Sequence, residues 1–244
     1  MRYAILGDLH SNLAALESVL EALEGEMIDR ILQVGDVVGY GAAPTEVIAL
    51  MRERDAMVVK GNHDAACVGE LDTRLFNTNA KAAVDYTRER LSRGDLRWLA
   101  DLPLVHATDH CVLAHGTLPD PERFEYIQST SEADPSLDAL DRPVAFLGHT
   151  HVPVTIMRLI ESPDRTSYTV DHAVNLEETT VALVNVGSVG QPRDEDCRAA
   201  FAVYDTATQR VELRRVEYDI EREADRIVRA GLPKMLADRL FLGI

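Results

Sequence analysis

Tyr3-Ala4-Ile5-Leu6-Gly7-Asp8-Leu9-His10-Ser11-Asn12 is the stretch that decides how this chain is read. Four apolar residues closed by a glycine describe a central strand buried on both faces. A polar loop follows, and then Leu13, Leu16, Leu20 and Leu23 fall on one face of a helix. Asn12 suits the N-cap of that helix and Gly25 its stop. The same order returns downstream. Ile31 to Val34 reads as a strand ending at Gly35-Asp36, a glycine-rich loop runs through Gly39 and Gly41, and a helix opens at Pro44. Met57 to Val59 is a third strand, running out into a loop at Gly61-Asn62-His63-Asp64. Three strand-loop-helix units in succession predict a parallel sheet flanked by helices.

Beyond these units, Asn79 to Leu91 and Asp95 to Leu102 read as two helices, a helical insert near residues 79–102. Leu104 to Ala107 and Cys111 to Ala114 form a hairpin that delivers His115-Gly116. Residues 117–134 carry Pro119, Pro121, Phe124 and Tyr126 in a polar setting, the pattern of an ordered loop and a candidate lid. Val144 to Leu147 is a strand ending in Gly148-His149-Thr150-His151. The runs Val154 to Ile160, Val181 to Val186, Ala200 to Tyr204 and Arg210 to Val216 predict a second, largely antiparallel sheet. Glu161 to Thr180 reads as an exposed hairpin or loop, and Ile220 to Arg229 as a last amphipathic helix. No repeat or linker divides residues 1–244, so the expectation is a single α/β domain.

The formal net charge is −16, from 41 acidic and 25 basic residues, which would repel a phosphate backbone and argues against broad nucleic-acid binding. Bound cations would reverse that field locally. Cys67, Cys111 and Cys197 are widely spaced and read as reduced thiols of a cytoplasmic protein. No stretch approaches the roughly 20 apolar residues that span a membrane, and the apolar run at the start is too short for a signal peptide. The expectation is therefore a protein with no membrane association. The sequence carries no signal of oligomeric state.

Asp8, His10, Asp36, Asn62, His63, His115, His149 and His151 all fall at strand ends, and in a parallel or mixed sheet such loops converge on one edge. Five of the eight histidines belong to this set; His106, His110 and His172 stand outside it and are assigned structural or surface roles. Imidazole, carboxylate and amide oxygen together suit a pair of metal ions, with Asp36 placed to bridge them through its two oxygens. Two such ions clamp the oxygens of a phosphate during in-line displacement. Mixed nitrogen and oxygen ligands favour Mn, Fe, Zn or Ni over Ca or Mg, with Mn slightly preferred.

Asp8-Leu9-His10, Gly35-Asp36, Gly61-Asn62-His63-Asp64, His115-Gly116 and Gly148-His149-Thr150-His151 together resemble the five ordered motifs of the calcineurin-like metallophosphoesterases. The resemblance covers the whole chain and is closest to the small bacterial YfcE-like phosphodiesterases. It implies a four-layer αββα sandwich with two mixed sheets, and hydrolysis of a small phosphoester by a metal-bridging hydroxide. It further implies that one metal takes Asp8, His10, Asp36 and His151, and the other Asp36, Asn62, His115 and His149. His63 would bind no metal but meet the phosphate and protonate the leaving oxygen, with Asp64 holding or polarising its ring. Asn185 to Arg193 resembles the late Asn-Pro-Gly-Ser segment of this branch, with Val186 in place of proline; a tight turn supporting the metal loops is the preferred reading, and Arg193 is a candidate substrate contact. Gly39-Tyr40-Gly41 stands where the protein phosphatases carry Asp-Arg-Gly. The missing arginine favours phosphodiesters over the doubly charged monoesters. A protein phosphatase, a nucleotide polyphosphate hydrolase and a non-catalytic protein-binding scaffold remain the alternatives on this fold.

Overall fold

The computed structural model describes residues 1–244, the side chain at position 75 excepted. Its first half follows the repeated unit: β1 (Arg2–Leu6), α1 (Leu13–Leu23), β2 (Arg30–Gln33), α2 (Pro44–Glu53) and β3 (Met57–Val58). β1 pairs in parallel with β2, and β2 with β3. The period of two explains why β1 is apolar throughout: Ala4 and Leu6 face the helices, while Tyr3 and Ile5 face the other sheet. The Asn12 side chain accepts the Ala15 N–H at 3.0 Å and so starts α1, and Pro44 opens the first turn of α2.

The remaining elements are α3 (Asn62–Val68), α4 (Thr78–Arg90), α5 (Arg93–Ala100), β4 (Val105–Ala107), β5 (Val112–Ala114), α6 (Thr130–Ala139) and β6 (Val144–Leu147). After them come β7 (Val154–Leu159), β8 (Ser162–Thr169), β9 (Ala173–Asn175), β10 (Thr179–Asn185), β11 (Ala199–Asp205), β12 (Arg210–Val216), α7 (Ile220–Arg229) and α8 (Lys234–Asp238). One sheet has the order β3-β2-β1-β11-β12-β9 and the other β4-β5-β6-β10-β7-β8. Both mix parallel and antiparallel pairs. They pack face to face through Ile5, Leu32, Leu113, Phe146 and Val184. α1 and α2 cover the first sheet through Leu16, Val19, Ile48 and Met51, and α6 covers the second through Ala133 and Leu137. The layers are therefore α, β, β, α. No described helix is long and apolar enough to cross a membrane.

Four expectations change. Gly61 to Asp64 is not a loop but the N-terminus of α3, with Gly61 at the cap and the Asp64 carboxylate accepting the Gly61 N–H. The last four predicted strands do not make a sheet of their own. β11 lies antiparallel against β1 and brings β12 with it, because β1 otherwise presents an unpaired edge to which a fully buried strand can add. Glu161 to Thr180 contains β8, an edge strand whose outer position tolerates its polar sequence, and β9, which crosses to β12 in the first sheet. The loop expected over 117–134 ends at Ser129, whose side chain accepts the Glu132 N–H and caps α6; Pro135 inside that helix hides it from the sequence.

Candidate metal centre

The strand ends do converge. Asp8 and His10 follow β1, Asp36 follows β2, Asn62 and His63 open α3, His115 follows β5, and His149 and His151 follow β6. Every one except Asn62 is buried. Asp8, His10, Asp36, His149 and His151 all have φ between 47° and 70°, a region that non-glycine residues seldom enter. Such strain persists only where the surroundings enforce it. Here it turns five side chains inward onto one point.

Hydrogen bonds fix the state of three imidazoles. His10 Nδ1 faces the Val38 carbonyl at 3.1 Å, His115 Nδ1 the Val34 carbonyl at 2.9 Å, and His151 Nδ1 the Gln191 carbonyl at 2.6 Å. A carbonyl can only accept, so each Nδ1 carries a proton, and the neutral rings of His10 and His151 present a bare Nε2 lone pair. The Nε2 atoms of His10 and His151 then stand 3.1 Å apart with no proton between them. That contact is repulsive unless a cation lies between the lone pairs.

The carboxylates complete the pattern. His151 Nε2 is 3.3 Å from Asp8 Oδ1. Asp36 Oδ2 is 3.5 Å from His10 Nε2 and 3.4 Å from His115 Nε2, so one oxygen faces both halves of the cluster. His115 Nε2 is 3.0 Å from Asn62 Oδ1, and the buried His149 Nε2 has no partner. Atoms sharing a cation at about 2.0–2.1 Å stand roughly 3.0–3.4 Å apart. The donor set thus fits cations: Asp8, His10 and His151 group within 4.8 Å of one another, as do Asp36, His115 and His149.

Electrostatics point the same way. Burial holds His10, His149 and His151 below the usual histidine range, keeping them neutral. Burial would raise Asp36, but His115 and His63 beside it hold its carboxyl well below the ordinary value. Burial also opposes a charge on His115, yet Asp36 outweighs it and raises that imidazole to about 9. A proton there stands in for positive charge that the carboxylates demand.

His63 offers a ring nitrogen within 4.8 Å of ligand atoms of His10 and Asp36. Its backbone N–H donates to Asp36 Oδ1 at 2.8 Å, and its ring packs 4.4 Å from Tyr40 and 5.0 Å from Phe76. Burial lowers it to about 4, and its Nδ1 has no partner. The expectation that Asp64 holds this ring is corrected. Asp64 Oδ2 accepts the N–H groups of Asp36 (2.9 Å), Gly61 (2.9 Å) and Val37 (3.3 Å), and Oδ1 that of Val38 (3.1 Å). Its carboxylate is committed to backbone and fastens the Asp36 loop to α3.

Asn185 donates to the Thr150 hydroxyl at 3.0 Å and to the Gly148 carbonyl, and Ser188 donates to the Asp8 carbonyl at 2.8 Å. The 185–193 segment therefore braces the metal loops. A cavity of about 350 Å³ opens over the cluster, lined by Asp36, Asn62, His63, His149, Tyr40 and Arg193 among others. The sequence placed Tyr126 in the candidate lid without a partner; in the structure it stacks on His149 with ring centres 3.8 Å apart and planes 8° apart. An aromatic in an otherwise polar loop was the only signal for it.

The sequence model of the calcineurin-like phosphoesterase superfamily domain matches residues 1–209. An uncharacterized protein of Methanocaldococcus jannaschii, MJ0912, is 34% identical over 244 residues, covering 98% of this chain and 97% of its own. A symmetrical bis(5'-nucleosyl)-tetraphosphatase of Methylobacillus flagellatus is 30% identical over 155 residues, 61% of this chain and 54% of that one. The crystal structure of a metallophosphoesterase from Sphaerobacter thermophilus superposes with a TM-score of 0.87 at 36% identity, covering all of both chains.

Proposed function

Because the chain belongs to the calcineurin-like phosphoesterase superfamily, we propose that it is a metal-dependent hydrolase of small phosphoesters, with diesters favoured. The observation that carries this reading is Asp36 Oδ2, set between the Nε2 atoms of His10 and His115. Asp8, His10, Asp36 and His151 would hold one transition-metal ion, and Asp36, Asn62, His115 and His149 the other, with Mn, Fe, Zn and Ni the metals suited to this donor set. When bound, such ions polarise phosphoryl oxygens and make a water nucleophile available near neutral pH.

The chain's own residues supply the rest. His63, in the cavity wall beside Asp36, is placed to protonate the departing oxygen. An entering phosphate supplies the negative charge that favours the imidazolium against its burial. Arg193 is the guanidinium positioned to meet a phosphate oxygen, and Tyr40 takes the place of a second, dedicated arginine. A singly charged diester needs no more.

Metal content and rates, measured together after loading with each candidate metal, test the reading on p-nitrophenyl phosphate and bis(p-nitrophenyl) phosphate. Asp36→Asn is expected to lose metal and activity together. His63→Ala is expected to keep metal and lose roughly 10²–10⁴-fold in turnover. A loaded protein inert towards every phosphoester would leave a binding scaffold as the better account.

A further inference from the structure

Tyr40 sits between Gly39 and Gly41, its ring 4.6 Å from that of His10 and 4.4 Å from that of His63. Two guanidinium groups lie over it, Arg193 at 5.6 Å and Arg239 at 6.0 Å from the ring centre. Arg193 lines the cavity; one terminal nitrogen donates to Gln191 Oε1 at 3.0 Å, and its Nε is buried without a partner. Arg239 comes from the turn after α8 and gives its Nε to the Ile244 backbone oxygen. Among the described residues its terminal nitrogens have no partner, and neither arginine pairs with an Asp or Glu side chain.

This is an unusual allocation in a chain with 41 acidic and 25 basic residues. Most other arginines of the molecule pair with carboxylates at its surface, while each of these two lies within about 6 Å of the same aromatic ring. Burial, and then the charge of Arg193, hold Arg239 below its ordinary value, so the pair repels itself as it stands. An anion between them would relieve that repulsion and satisfy the buried Arg193 Nε through charge-assisted bonds. Arg239 also lies beyond residue 209, outside the matched family domain, so this second charge is added by the C-terminal helices.

We propose that Arg193 and Arg239 form an anion subsite beside the metal ligands, which binds a second phosphate group of the substrate a few bonds from the one that reacts. The proposal rests on the phosphoesterase reading and narrows its substrates to phosphoesters that carry a further phosphate. Calorimetric titration of the metal-loaded protein with 1,3-propanediol bisphosphate and with 1,3-propanediol monophosphate tests it. Wild-type protein is expected to bind the bisphosphate about tenfold more tightly, the worth of one added charge-assisted contact. Arg239→Gln abolishes that preference, and Arg239→Lys, which keeps the charge, retains part of it. Thermal melts establish that each variant is folded; should Arg239→Gln not be, Arg239→Met reads the same loss. Equal binding of the two ligands to wild type, or a preference that survives in the folded glutamine variant, overturns the proposal. A protein that hydrolyses phosphoesters without the preference loses the subsite alone. One that shows the preference and its loss in Arg239→Gln, yet hydrolyses nothing, keeps the subsite and loses the hydrolase.

Discussion

At Asp64 a buried carboxylate gathers four backbone N–H groups, three of them from residues 36–38 and one from Gly61. Burial and the neighbouring Asp36 push its pKa up to about 7, against the donors that favour the anion. Removing the carboxyl leaves those donors unpaired in a dry interior. Asp64→Ala is therefore expected to lose several kcal/mol of stability, at about 1–3 kcal/mol for each buried donor left unpaired, read by urea denaturation, together with metal content as the Asp36 loop loosens. A variant of full stability and metal content, altered only in its pH–rate profile, would restore the ring-orienting role. The residue type and its place after Asn62-His63 were legible in the sequence. Its partners were not, because three of the four donors lie 26–28 residues upstream and are reached only when β2 and β3 pair.

At the scale of elements, the loops after the strands are built around backbone that only glycine allows. Gly39 has φ +97°, and a Cβ there would lie 2.4 Å from His63 Nδ1; a Cβ on Gly61 would lie 2.1 Å from Asp36 Oδ1. The two clashes fall on different proposed roles. Gly39→Ala is expected to displace His63 and depress turnover with metal retained, whereas Gly61→Ala displaces Asp36 and loses metal; elemental analysis beside rate measurements separates them. Identical metal loss in both would show that the loops move as one piece. α1 could be placed from sequence because its cap, apolar stripe and stop are all local. β8 and α6 could not. The polar residues of β8 are tolerated by its edge position, and Pro135 interrupts the helix signature of α6.

Over the whole molecule, the C-terminal elements are tied back to the N-terminal unit. Glu223 of α7 is fully buried and accepts the Ala14 N–H at the start of α1, with Arg226 at 3.6 Å. Burial raises its pKa above the ordinary carboxyl value, against the weaker pull of Arg226 and the backbone bonds. A carboxyl so raised favours the fold in its protonated form; that contribution is fully present below the unfolded pKa and is lost as pH rises through the folded one. Glu223→Gln is therefore expected to melt higher than wild type at pH 8, with the two curves converging towards pH 4. A constant difference across that range would mean that packing, not charge, sets the effect. The sequence by itself determined the three parallel units, the αββα class through its motifs, and the imidazole, carboxylate and amide groups at the strand ends, because strands, caps and polar clusters are written in short-range order. Tertiary structure alone decided that β11 closes onto β1, that Asp64 serves the backbone, and that Arg239 reaches Tyr40 from almost 200 residues away. Those contacts join segments with no sequence signal for each other, and only the burial of shared surface selects them.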